Sequence, residues 1–155
     1  MSETVIQVTS LGKRIKGKTI LEDISFEINQ GDCVALIGPN GAGKTVLMSC
    51  ILGDKKPSSG QVLIDGKAGK AKNKIAVLLQ ENTIPNSLKV EELIAFFQSI
   101  SDNPLTNQEV QELLQFKEDQ YQQFADKLSG GQRRLLAFVL CLIDKPKILF
   151  LDEPT

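Results

Sequence analysis

Histidine is absent from this 155-residue sequence, which removes the commonest metal ligand and the commonest general base near neutral pH. Cysteine is scarce. Cys33, Cys50 and Cys141 show no CxxC spacing and each sits in an apolar stretch, so all three read as core packing in a reducing compartment rather than as redox or metal groups. No charge of one sign prevails, since 18 basic and 19 acidic side chains leave a net charge of -1. That balance gives no electrostatic footprint for nucleic acid or an anionic lipid surface. Long hydrophobic runs are missing too: the longest, residues 135–143, falls far short of the roughly 20 residues of a membrane span. The opening MSETVIQVTS is polar and alternating, without the apolar region of a secretion signal. A cytoplasmic chain with small-molecule partners, no nucleic acid and no membrane span of its own is expected.

What is present is 41% hydrophobic residues, the apolar mass of one ordinary domain. Val5, Ile6 and Val8 predict a short strand, and Ile24, Phe26 and Ile28 alternate with polar residues as a half-buried strand does. After a turn at Asn29-Gln30-Gly31, the continuous apolar run 33–37 predicts a strand covered on both faces, leading into a glycine-rich loop. A helix follows over 45–52 with Gly53 as its C-cap. Further strands are expected at 61–64 and 75–79, and a buried one at 148–151. Beyond Pro85 the apolar period changes from two to about 3.6. Val90, Leu93, Ile94, Phe97 and Ile100 share one helical face, and Val110, Leu113 and Leu114 another. The run 135–143, ended by Pro146, reads as a helix buried on every side.

Gly38-Pro39-Asn40-Gly41-Ala42-Gly43-Lys44-Thr45 matches G-x-x-x-x-G-K-[ST] in full. Its glycines let consecutive backbone N–H groups turn toward one point, and the following helix adds its positive end. Lys44 reaches the outer phosphates, and Thr45 can ligate Mg²⁺. Lying between a predicted strand and a predicted helix, the loop is a phosphate cradle rather than a chance glycine turn. Leu128-Ser129-Gly130-Gly131-Gln132 is either an ordinary helix start with Ser129 as N-cap or a second anion site at a glycine-lined helix N-terminus. Residues 148–153, ILFLDE, carry two carboxylates to a strand tip. There Asp152 can hold Mg²⁺ through water and Glu153 can polarise an attacking water, or the pair is simply solvated in a turn before Pro154.

On these residues the chain resembles the nucleotide-binding domain of an ABC transporter. GPNGAGKT stands as the Walker A loop, LSGGQ followed by Arg133-Arg134 as the signature and ILFLDE as the Walker B strand. Gln80, in LLQENTIP, stands where the family has its Q-loop glutamine. The resemblance implies an α/β fold of the P-loop NTPase class: a RecA-like core sheet, an antiparallel β part and an inserted helical subdomain. Within a single domain, segments 1–85 and 145–155 would form the core and 86–144 the helical part with the signature. It also implies an ATPase that takes ATP and Mg²⁺. The loop from Gly38 to Thr45 then binds the triphosphate, and Thr45, Gln80 and Asp152 serve the metal. Glu153 is the catalytic base, with Gln80 and Lys44 acting beside it. Ser129, Gly130, Gly131 and Gln132 contact the γ-phosphate held by a second ABC ATPase subunit in a head-to-tail dimer. The family stacks adenine on an aromatic residue near the N-terminus; the aligned residue here is Ile15, which allows dispersion contact but no π-stacking.

The other partners implied are transmembrane permease subunits, which would place the chain at the inner face of the cell membrane. Loop lengths and motif order resemble the drug- and peptide-exporter branch, so export is expected. The alternatives are a non-transport ABC ATPase, or a module that holds nucleotide without hydrolysing it. Family members continue past Walker B with a D-loop, a further strand and a switch histidine. Their absence implies a chain truncated after Walker B that lacks the C-terminal strands of the fold. A gap of roughly 9 to 10 Å would then separate the Walker A and Walker B strands, with poor folding and little ATP turnover expected of the chain alone.

Overall fold

Lys16 and Gly17 both take positive φ, 49° and 77°, the backbone that a two-residue hairpin turn requires. They join β1 (Thr4–Ile15) to β2 (Lys18–Asn29) as an antiparallel pair in which Ile15 stands opposite Lys18. The computed structural model describes residues 3–68, 75–79 and 84–152. Its contacts divide into two compact units, Met1–Ala71 and Lys72–Thr155.

In the first unit, β3 (Ser59–Ile64) pairs antiparallel with the other edge of β1. The Asp65-Gly66 turn then returns the chain as β4 (Lys67–Ala68), giving the order β2-β1-β3-β4. Helix α1 (Lys44–Ile51) buries Leu47, Cys50 and Ile51, and β1 contributes Val5, Ile6, Val8 and Leu11 to the buried set. Gly53, at φ 78°, ends the helix as a left-handed residue. Along β2 the expected alternation holds, with Ile24, Phe26 and Ile28 half-buried and Ser25 and Glu27 exposed.

In the second unit, β5 (Ile75–Leu78) and β6 (Ile148–Leu151) pair in parallel from Ile75 opposite Ile148 to Leu78 opposite Leu151. Between them run α2 (Val90–Ser99), α3 (Asn107–Leu114), the single turn α4 (Glu118–Tyr121) and α5 (Gly130–Leu142). The starts of these helices are written in the sequence. The Glu92 carboxylate accepts from the Lys89 amide at 2.8 Å, and Thr106 and Glu109 cap each other at 3.2 and 2.7 Å. Such reciprocal bonds satisfy amides that a helix start leaves open. Val90, Leu93, Ile94, Val110, Leu114, Leu136, Val139 and Ile143 form the core of this unit. Among the described residues no helix is long and apolar enough to cross a membrane.

Several expectations from the sequence are corrected. The run 33–37 forms no strand among the described residues: Val34 is 61% and Ile37 89% exposed. A strand needs a ladder partner, and the described strands pair only with one another, β1 to β4 in one sheet and β5 with β6 in the other. β6 is half-buried rather than buried for the same reason, having a neighbour on one side only. Ile100, Leu113 and Leu135 are exposed. Ile100 lies past the end of α2 as its C-cap, while Leu113 and Leu135 occupy the outer faces of α3 and α5.

The cysteines divide accordingly. Cys50 is buried and Cys141 half-buried, but Cys33, in the unpaired run, is exposed, which corrects the core assignment for that residue. Burial pushes the thiols of Cys50 and Cys141 above their ordinary value, with Lys13 and Lys55 partly opposing the shift at Cys50. Since the thiolate is the reactive form, a maleimide at neutral pH should modify Cys33 faster than the other two by about tenfold or more. Peptide mapping by mass spectrometry after graded exposure would check this. Equal labelling of all three would mean that 33–37 is protected.

Candidate phosphate-binding site

The loop preceding α1 is assembled within the first unit. The Ala42 amide donates to the Pro39 carbonyl at 3.1 Å, which closes a turn, and Gly41 and Gly43 then take φ of 82° and 96°. At Gly43 the constraint is double. A Cβ there would lie 2.9 Å from Leu21 Cδ2 and 3.2 Å from Ile20 Cγ2, so the turn rests directly on β2 and only glycine fits it. Among the described residues, the backbone amides of Gly41, Gly43, Lys44 and Thr45 have no hydrogen-bond partner. Four open donors, three of them in succession from Gly43 to Thr45, at the N-terminus of a helix form an anion-binding concavity.

Lys44 completes it. Its Nζ donates to the carbonyls of Gly38 and Pro39, the latter at 2.9 Å, so the ammonium folds back across the loop that it begins to extend into a helix. The sequence assigns this side chain to phosphates, and the carbonyl contacts are not legible there. A phosphate in the concavity would compete with those two carbonyls for the ammonium. Thr45 is exposed at the second position of α1, and Ile15, the residue at the family's base-stacking position, is half-buried at the end of β1.

In the second unit Ser129 is the N-cap of α5. Its Oγ accepts from the Gln132 amide at 3.2 Å, while the Gln132 side-chain oxygen accepts from the Ser129 amide at 3.0 Å. Both side chains serve the helix start as acceptors, and the Ser129 O–H and Gln132 Nε2 donors take no part in it. The amides of Gly130 and Gly131 have no partner among the described residues, and a Cβ at either would meet nothing within 4 Å. Arg133 donates to Asn86 Oδ1 at 2.9 Å, a contact nothing in the sequence announced. Asp152 follows β6, and its amide donates to the Leu78 carbonyl at 2.9 Å. This bond extends the parallel pairing past the strand and seats the carboxylate-bearing residue beside the end of β5. Gln80 and Glu153 lie outside the described residues.

The donor set fits nucleotide phosphates: four amides and an ammonium, with no carboxylate among residues 38–45. For the metal, no group of three or more His, Cys, Asp or Glu side chains occurs among the described residues. Thr45 and Asp152 each carry an oxygen of the kind Mg²⁺ takes, an ion usually held chiefly by phosphate oxygens and water.

Comparison with known proteins points the same way. A family model described as "ABC transporter" matches residues 21–155. A methionine import ATP-binding protein, MetN of Legionella pneumophila (strain Paris), is 36% identical over 97% of this chain and 48% of its own length. A spermidine/putrescine import ATP-binding protein, PotA of Protochlamydia amoebophila (strain UWE25), is 35% identical over 93% of this chain and 41% of its own. The chain thus spans about half the length of the curated relatives it matches. Among solved structures, cbiO1 from Clostridium perfringens, part of the ABC transporter complex cbiONQ, superposes with a TM-score of 0.83 at 26% identity, covering 99% of this chain and 66% of that one. Both curated relatives are named for import, so the export expected from loop lengths and motif order is left without support.

Proposed function

Because the chain belongs to the ABC transporter family, we propose that it is an ATP-binding, ATP-hydrolysing subunit that drives import of a solute through separate membrane subunits. The observation that carries this reading is the set of open amides at Gly41, Gly43, Lys44 and Thr45, with the Lys44 ammonium held on the carbonyls of the same loop. Import rather than export is favoured by the names of the relatives. The division of a single domain into core segments 1–85 and 145–155 and a helical segment 86–144 belongs to the same proposal. It is supported by the position of α2 to α5 between those bounds.

In this reading the open amides bind the β- and γ-phosphates, and Lys44 leaves the Gly38 and Pro39 carbonyls to neutralise them. Mg²⁺, when bound, would supply charge compensation across the transferring phosphate. As the family resemblance implies, Thr45, Gln80 and Asp152 would serve it. Glu153 takes the proton of the attacking water. The signature would reach a second subunit's γ-phosphate through the amides of Gly130 and Gly131 and the side-chain donors of Ser129 and Gln132, whose oxygens alone cap α5.

Calorimetric titration of the chain with ATP in Mg²⁺ tests the core of this proposal. Lys44→Ala should weaken binding about 10- to 100-fold, the worth of a charge-assisted hydrogen bond of roughly 1.5 to 3 kcal/mol. Unchanged affinity in that variant, or no saturable binding in the parent, would refute the site.

A further inference from the structure

The hairpin turn beside the phosphate loop carries charge that the fold does not use. Residues 13–18, KRIKGK, hold four cations and no carboxylate. The fold adds two more from a distant stretch, because Lys13 Nζ donates to the Lys56 carbonyl, which sets Lys55 and Lys56 beside the hairpin. Arg14, Lys16, Lys18, Lys55 and Lys56 are exposed. None of these six cations has an ion pair among the described residues. The carboxylates nearest in sequence are Glu22 and Asp23 on β2 and Asp54 after α1, and Asp54 already has a partner.

The location of this charge is informative. Gly43 rests on Ile20, and Lys18 lies two residues before Ile20 on the same strand, roughly 7 Å away along it. Ile15 stands directly opposite Lys18, so these two side chains leave the same face of the hairpin. Arg14 belongs to the other face, where its Nε donates to Thr19 Oγ1 at 3.2 Å, and adds only to the general field. Lys18, with Lys16 at the turn, therefore lies within about one screening length of the open amides at physiological salt.

We propose that Lys16 and Lys18 form a capture surface for the polyphosphate of the incoming nucleotide, drawing it to the loop and setting its association rate. The proposal rests on the reading of Gly38 to Thr45 as a nucleotide site. It concerns the rate of arrival, whereas Lys44 and the amides concern the strength of holding. Opposite charges in a partly solvated cleft raise on-rates by about 10- to 1,000-fold, with a steep dependence on ionic strength.

Stopped-flow association of a fluorescent ATP analogue with the full chain tests it, using a double variant, Lys16→Gln and Lys18→Gln. The on-rate should fall about tenfold at low ionic strength and about threefold near physiological salt, with the dissociation rate changed less than about twofold. A control variant, Lys117→Gln with Lys127→Gln, alters net charge equally in the second unit and should keep the parent rate. An on-rate unchanged in the first variant, or lowered equally in the control, overturns the proposal while leaving the nucleotide site intact. No association signal from the parent chain overturns both.

Discussion

Replacing Gly43 by valine should abolish measurable ATP binding and remove about 2 to 5 kcal/mol of stability from the first unit. Two penalties add. A residue with a Cβ held in the left-handed region costs about 1 to 2 kcal/mol, and a β-branched one is a true outlier there. Forcing new methyl groups into a packed contact costs a further 1 to 3 kcal/mol or so. Here the first atom would already stand 2.9 Å from Leu21 Cδ2. Relief requires the turn to lift from β2, which scatters the open amides on either side of Gly43. Gly41→Ala is the informative companion. That residue shares the positive φ, at 82°, but its Cβ would meet nothing within 4 Å, so only the conformational penalty should appear. Urea unfolding with calorimetric ATP titration separates the two cases. Equal losses in both variants would mean that the contact with β2 is not what fixes the loop.

Leu136→Ala should cost the second unit about 2 to 5 kcal/mol, the range for deleting a large aliphatic side chain at a site that cannot collapse. Leu136 is fully buried on α5, within a cluster that draws Leu93 from α2 and Val110 and Leu114 from α3. Its sequence neighbour provides the contrast. Leu135 is 37% exposed, and Leu135→Ala should change stability by about 0.5 kcal/mol or less. A domain's whole stability is about 5 to 15 kcal/mol, so the first substitution should move the urea midpoint strongly and the second barely. Similar midpoints would overturn the assignment of α5's inner face.

The difference between those adjacent leucines also marks how far the sequence could be read. The run 135–143 is apolar at every position, so no periodicity within it separates inner from outer residues, and burial on every side was the natural inference. On α2 and α3, polar residues interrupt the pattern, and Val90, Leu93, Ile94, Val110 and Leu114 all fall inside as expected. The phosphate loop was legible because each fixed residue answers a local demand: an open amide, a positive φ or a helix start. The run 33–37 was not, since composition records that a segment favours burial but not which strand would cover it. Lys55 and Lys56 escaped for the same kind of reason. Their approach to the hairpin depends on a single bond from Lys13 to a backbone carbonyl, and a carbonyl has no sequence signature.

The parallel pair β5 and β6 bears on the order in which the second unit can form. Its strands lie at opposite ends of that unit, with every one of its helices between them. On a ribosome adding about 5 to 20 residues per second, β5 emerges several seconds before β6 exists. The helices need no such wait, since their contacts are largely local and close quickly. The expected sequence of events is a helical cluster around Leu93, Val110 and Leu136 that forms first and holds the ends of the segment near each other. This reduces the loop-closure entropy that the sheet must overcome. Asp152 would then come to rest beside Leu78 as one of the last contacts of the unit to form, so the carboxylate proposed to serve the metal is placed only after the helices have folded.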